Sequence, residues 1–220
     1  MSQVFHPAAN ALARGTVFGG LFAVAAAAWA GAAFLRSPYV TQVNVVRDQP
    51  VPFSHDHHVA GLGIDCRFCH ATVETAAFAG MPSTEVCMGC HSQIWNRSPL
   101  LAPLRESLQS GQPLAWTRVN DVPDFVDFNH SIHVAKGIGC ESCHGRVDRM
   151  PLARKAASMH MQWCLDCHRH PETAIREPGE VFRFGRETAA SSAAASDANG
   201  LVDRYGIVTS QLTDCVICHR

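Results

Sequence analysis

All ten cysteines of this 220-residue chain fall into five Cys-x-x-Cys-His segments. These are Cys66/Cys69/His70, Cys87/Cys90/His91, Cys140/Cys143/His144, Cys164/Cys167/His168 and Cys215/Cys218/His219. Cys-x-x-Cys-His is the attachment signal for haem c: the thiols form thioether bonds to the macrocycle's vinyl groups, and the histidine is held beneath the iron as proximal ligand. The sequence therefore predicts five covalently attached haem c groups. Disulfides would not require a histidine after each second cysteine. Structural zinc takes Cys-x-x-Cys in pairs, yet five pairs do not divide into four-cysteine sites, and zinc has no use for five adjacent histidines. A thioredoxin-like redox motif needs a βαβ pattern around a single pair, which is absent.

Composition supports an unusual interior. Two tyrosines and four tryptophans are few for a chain building a sizeable apolar core, and haem is the expected substitute. A formal net charge of −1 marks neither nucleic acid nor an acidic surface as partner. Gly15 to Leu35 contains no charged side chain and lies between Arg14 and Arg36. About 20 apolar residues suffice for a helix to cross a bilayer, and Ser37-Pro38 ends the run where proline cannot continue a helix. The run predicts an uncleaved single-pass anchor. The competing reading is a cleaved signal peptide, although signal h-regions usually run about 7–15 residues. Flanking charge is nearly symmetric and does not set orientation. Haem attachment does, because it takes place on the outer face of an energy-conserving membrane. The expected location is the inner (cytoplasmic) membrane, with the haem domain in the periplasm.

Beyond the anchor the chain repeats itself. Phe53-Ser-His55-Asp-His57-His58-Val59-Ala60 precedes Gly63-Ile64-Asp65-Cys66; Phe128-Asn-His130-Ser-Ile-His133-Val134-Ala135 precedes Gly137-Ile138-Gly139-Cys140. Each copy holds two motifs, so the pattern is a duplicated two-haem unit. Trp116 to Asp127 links the copies, and Ser98 to Gly111 reads as one short amphipathic helix. Two histidines three apart share one side of a helical turn and can serve two neighbouring haems. The Phe-x-His-x-x-His segment resembles the distal-ligand segment of small trihaem and tetrahaem cytochromes. That resemblance implies that His55 and His130 cap the haem whose motif follows them, while His58 and His133 cap a second haem nearby. His57 lacks a counterpart, since Ile132 stands there, and with His170 is expected to be a solvated side chain; His6 lies across the anchor. Four distal histidines for five haems leave one iron short. Candidates for it are His160, Met150, Met161, Met159 and Met81, and methionine there would raise one potential.

The anchor, the paired histidine-rich repeats and the five motifs together resemble the pentahaem subunit of bacterial alternative complex III. The likeness runs through residues 53–59, Gly63-Ile-Asp-Cys66, Cys87-Met-Gly-Cys-His-Ser-Gln-Ile-Trp95, Asp124-Phe-Val-Asp-Phe-Asn-His-Ser-Ile-His133 and Trp163-Cys-Leu-Asp-Cys-His-Arg169. It covers most of residues 38 to 182. The resemblance implies an electron-transfer subunit, not itself an enzyme, of a quinol-oxidising respiratory or photosynthetic complex. Its partners would be integral-membrane quinol-oxidising and iron–sulfur subunits, with a periplasmic cytochrome c, another carrier or a terminal oxidase as acceptor. It also implies Met161 as the fifth distal ligand. The alternative is a membrane-anchored multihaem quinol dehydrogenase acting directly on quinol. A multihaem reductase would need an open iron position, whereas enough histidines and methionines exist to close all five. The expected fold is mainly irregular with short α-helices. Its divisions are a cytoplasmic tail (1–14), the anchor (15–36), a linker (37–52), a duplicated tetrahaem domain (53–182) and a tether bearing the fifth motif (183–220).

Overall fold

The structure, a computed structural model, describes residues 4–185 and 195–219. Its two compact units are Met1–Val43 and Asn44–Arg220.

The first unit is built on one helix, Ala8–Arg36. It begins ahead of Gly15 because Ala8, Ala9, Ala11 and Leu12 are strong helix formers behind the Pro7 cap. Arg36 in the last turn suits the negative end of the helix dipole. Ser37 stops the helix, its hydroxyl donating to the Phe34 carbonyl at 2.6 Å. No side chain of this helix is buried, and Phe18, Phe22 and Trp29 stand exposed. From Gly15 to Leu35 it rises about 31 Å, the thickness of a bilayer's hydrocarbon core. The helix is long and apolar enough to cross a membrane; a secretory leader passes the same test.

The second unit has no named strand among the described residues. Short helices and loops are joined by two isolated bridges, Val46 with Arg154 and Ile138 with Ile175. Its own apolar core is small. Val51, Leu101 and Leu104 form one buried cluster, flanked by Cys87, Met88, Leu114 and Trp116. Leu101 and Leu104 come from a 3₁₀ turn, Pro99–Leu101, running into the helix Ala102–Ser110, which Gly111 ends in the left-handed conformation. This helix braces the helix Thr84–His91, which carries the second motif, and a 2.6 Å hydrogen bond joins Thr84 Oγ1 to Ser107 Oγ between them. Leu104 is 3 % exposed. Leu104→Ala should cost about 2–5 kcal/mol, read as a lower denaturation midpoint. A change below about 0.5 kcal/mol would show that this cluster does not hold the second motif in place.

The two repeat copies fold alike with one difference. Copy one has one residue more between Phe53 and Cys66 than copy two has between Phe128 and Cys140. The extra residue is taken up by a π-helical turn, Asp56–Gly61, where copy two has an α-helix, His130–Ala135. A wider turn of this kind absorbs an insertion without shifting the side chains before it.

The Ala- and Ser-rich stretch expected to be a tether divides. Residues 186–194 lie outside the described residues. Ala195–Arg204 is helical, and beyond it the chain is tied down: Leu201 is buried, Tyr205 donates to the Arg176 carbonyl at 2.9 Å, and Lys136 donates to the Tyr205 carbonyl at 2.6 Å. Alanine, frequent in this stretch, favours helix, and Leu201 and Tyr205 tie its end down. Gly137 permits this docking. Its φ is +77°, and a Cβ there would lie 2.6 Å from the Tyr205 ring.

Candidate haem sites

Every Cys-x-x-Cys pair lies on helical backbone: Cys66–Cys69, Thr84–His91, Cys140–His144, Met161–Arg169 and Cys215–Cys218. A single turn places cysteines three apart on one side and carries the next histidine toward that side. Asp65 caps the first of these turns by accepting from the Arg67 amide at 2.9 Å. None of the cysteines is paired in a disulfide. Burial pushes the thiol of Cys143 up to about 12 and that of Cys140 up to about 11. Thiols so placed are not the low-pKa nucleophiles of a redox pair.

The ten thiols are not equivalent, although their motifs are. Eight are half-buried, as groups that anchor a macrocycle inside the unit should be, whereas Cys90 and Cys215 are exposed. For Cys90 the reason lies in how its helix is braced. Thr84–His91 turns Thr84, Cys87 and Met88 toward the Leu101–Leu104 cluster and the helix behind it. Cys90 follows Gly89 at the far end of that helix, past the last contact with the cluster, and stands at the surface. Exposure does not bar attachment, since a thioether needs only the rim of the macrocycle. It puts the second motif at the edge of the unit, with Cys87 inward and Cys90 outward.

Three histidines of the repeated segments each lie close to a motif histidine. Ring centres of His58 and His91 are 6.2 Å apart, those of His130 and His144 are 6.3 Å apart, and those of His133 and His168 are 6.2 Å apart. Two metal–imidazole bonds of about 2 Å, with each ring nitrogen about 1.2 Å from its ring centre, put trans imidazoles roughly 6.4 Å apart. The measured separations fit one ion between each two rings. For His55, burial first, then the charges of His70 and His58, lower the pKa to about 4. The same balance lowers His144 to about 4, by burial and then by His130, His70 and His55. Both stay neutral at physiological pH, as metal ligands must be.

Backbone carbonyls set the tautomers. Among the motif histidines, Nδ1 of His70 donates to the Gly80 carbonyl at 2.7 Å, His91 to Ile94 at 3.2 Å, His168 to Leu212 at 2.8 Å and His219 to Phe125 at 2.9 Å. Among the histidines of the repeated segments, His58 donates to Ser54 at 2.8 Å, His130 to Ala77 at 2.8 Å and His133 to Asn129 at 2.7 Å. A proton held on Nδ1 leaves the Nε2 lone pair for a metal, and the bond fixes ring direction. Three histidines outside the motifs and the repeat pattern, His6, His57 and His170, are placed differently. His6 uses Nδ1 to accept from the Ala8 amide, His170 meets the Glu172 carboxylate at 3.3 Å, and His57 lies beside Trp95. Nδ1 of His55 is buried with no hydrogen-bond partner among the described residues.

The repeated phenylalanine has a place here that sequence reasoning did not give it. Phe53 meets His55 edge-on at 4.8 Å and lies nearly parallel to His58 at 4.5 Å. Phe128 treats His130 and His133 the same way, at 4.8 and 4.6 Å. One ring wedges both histidines of its segment, and the signal for it was its recurrence in register with them.

The fifth motif differs. The ring 5.9 Å from His219 is Phe125, not an imidazole. Met161 opens its helix three residues before Cys164 and is 66 % exposed. Met150 is 3 % exposed, in the position of a core side chain. His160 precedes the Met161 helix as an exposed cap residue.

Repeated thiol pairs with adjacent imidazoles, facing rings at metal-spanning distance and a small side-chain core define a multihaem c-type cytochrome. Residues 126–220 match the family described as cytochrome c7 and related cytochrome c. Over 180 residues, 79 % of this chain and 78 % of the relative, the sequence is 38 % identical to the menaquinone reductase, multiheme cytochrome c subunit, of Nitratidesulfovibrio vulgaris. The chain belongs to this family of multihaem cytochrome c subunits, which bind haem c covalently.

Proposed function

We propose that this chain is the five-haem electron-relay subunit of a quinone-linked membrane complex of the alternative complex III kind. The observation that carries the reading is the three pairs of neighbouring imidazoles, with ring centres 6.2, 6.3 and 6.2 Å apart. Four haems would be held by His55 with His70, His58 with His91, His130 with His144, and His133 with His168. The fifth would take His219 with Met161. Haem c, when bound, supplies a one-electron iron centre whose potential follows from axial ligands, burial and nearby charge. The chain's own residues do the rest: cysteines fix each macrocycle, carbonyl-tied histidines aim Nε2, and the phenylalanine wedges hold neighbouring ligands at a set spacing. With two ligands held to each iron, no position would be open to substrate. This suits a relay and not a reductase.

The anchor helix would hold the chain in the inner membrane with the haem unit on the periplasmic side. Quinol chemistry and iron–sulfur clusters would then belong to partner subunits, and a periplasmic carrier or oxidase would collect the electrons. The relative's name supports the link to a quinone and suggests a second direction, toward menaquinone. The test is purification in mild detergent. Membrane subunits should co-purify, and a quinol analogue should reduce the haems in the complex but not in the isolated chain. Direct reduction of the isolated chain would instead favour a quinol dehydrogenase.

Met161→Leu tests the fifth ligand separately. The replacement keeps an apolar side chain of similar volume, so folding should survive at a cost below about 1.5 kcal/mol. One iron of five should change spectrum and potential. Five unaltered low-spin haems would return Met161 to the role of an exposed apolar residue and move the question to His160.

A further inference from the structure

Resting on the five-haem reading, we infer that the five motifs form a single row in the order second, first, third, fourth, fifth, because the two repeat copies meet head to head through their first motifs. The argument lies in a reciprocal exchange of backbone hydrogen bonds. Asp56 follows His55 in copy one, and Ser131 follows His130 in copy two. The Asp56 amide donates at 3.2 Å to the carbonyl of Met150, six residues past His144. The Ser131 amide donates at 3.2 Å to the carbonyl of Ala76, six residues past His70. Equivalent donors thus meet equivalent acceptors, each in the other copy. Such reciprocity is the mark of an isologous, two-fold-like contact. His130 adds a second tie, its amide at 3.0 Å and its Nδ1 at 2.8 Å both reaching the Ala77 carbonyl.

A two-fold contact through the segments that follow the first and third motifs puts those motifs side by side. Electrostatics agree, since His144 interacts with His70 and His55 as well as with its own partner, and Cys140 with Cys66. The second motif then lies outside the first, where Cys87 interacts with Cys69 and His58 faces His91. The fourth lies outside the third, where Cys143 interacts with Cys167 and His133 faces His168. The fifth is attached to the fourth: His168 of the fourth motif donates to the Leu212 carbonyl at 2.8 Å, three residues before Cys215, and Cys164 lies within electrostatic reach of Cys218. No simple reading of the sequence gives this order, which would set the second motif beside the third.

The second and fifth motifs are therefore the two ends, each with one neighbour. The two exposed cysteines, Cys90 and Cys215, belong to these end motifs. At the fifth end Phe125 and Val216 are 70 % and 67 % exposed, and partners exchanging electrons with the row should do so at these two ends. The test is the set of iron positions in the haem-loaded full chain within its membrane complex, by electron cryomicroscopy. The iron nearest to that of the second motif should be that of the first, and the first and third irons should be neighbours. A second iron closer to the third than the first iron is would overturn the row. Fewer than five irons would overturn the five-haem reading beneath it, and the row with it.

Discussion

The His133→Ala protein is expected to carry one five-coordinate, high-spin iron beside haems that are otherwise unaltered. His133 faces His168 at 6.2 Å and is aimed by its 2.7 Å hydrogen bond to the Asn129 carbonyl. Alanine removes the distal nitrogen and offers nothing in its place, while His168 keeps its own tie to Leu212. About one haem in five should then bind carbon monoxide when reduced. Its potential should rise on the order of 0.1 V, within the roughly 0.8 V over which axial ligands act. His57→Ala is the matched control. It lies on the same turn as His58 but rests beside Trp95, and its removal should leave every iron six-coordinate. Carbon monoxide binding by both variants, or by neither, would contradict the pairing.

Removing motifs should hurt the protein unequally. Cys140→Ser with Cys143→Ser detaches the group at the centre of the repeat contact, beside the buried imidazole of His144. A macrocycle burying roughly 400 Å² of apolar surface contributes on the order of 10 kcal/mol, comparable to the whole stability of a domain, about 5–15 kcal/mol. With Leu104 and a few neighbours as the side-chain core among the described residues, this variant should fail to accumulate or be degraded quickly. Cys215→Ser with Cys218→Ser detaches a group at an exposed end, since Cys215 is exposed and Val216 is 67 % exposed. That protein should accumulate with one haem fewer and resist limited proteolysis almost as the parent does. Equal survival of the two variants would show that the central group does not hold the copies together.

The five motifs were legible because covalent haem attachment fixes residue type and spacing within one turn of chain. The histidine pairs three apart and the Pro99–Gly111 helix were legible for the same reason: their geometry is local. Long-range facts were not. Nothing near His130 in sequence says that Ala77 accepts its Nδ1–H, or that its ring lies across from His144. Nor does the second motif itself say that Cys87 faces the core while Cys90 faces outward, because that depends on a helix beginning a dozen residues later. The one-residue insertion in copy one was visible, but its accommodation by a π-helical turn at Asp56–Gly61 depends on the histidine spacing being kept while the loop behind it lengthens. The tether was only partly legible: alanine is the best helix former, and the burial of Leu201 and the packing of Tyr205 against Gly137 are tertiary matters.

The most direct measurement is the mass of the denatured full-length protein, with a pyridine haemochrome assay on the same sample. The account predicts a polypeptide carrying five haem groups that denaturation does not remove, one for each Cys-x-x-Cys-His segment. A mass corresponding to fewer, or to free thiols at any of the ten cysteines, would contradict it.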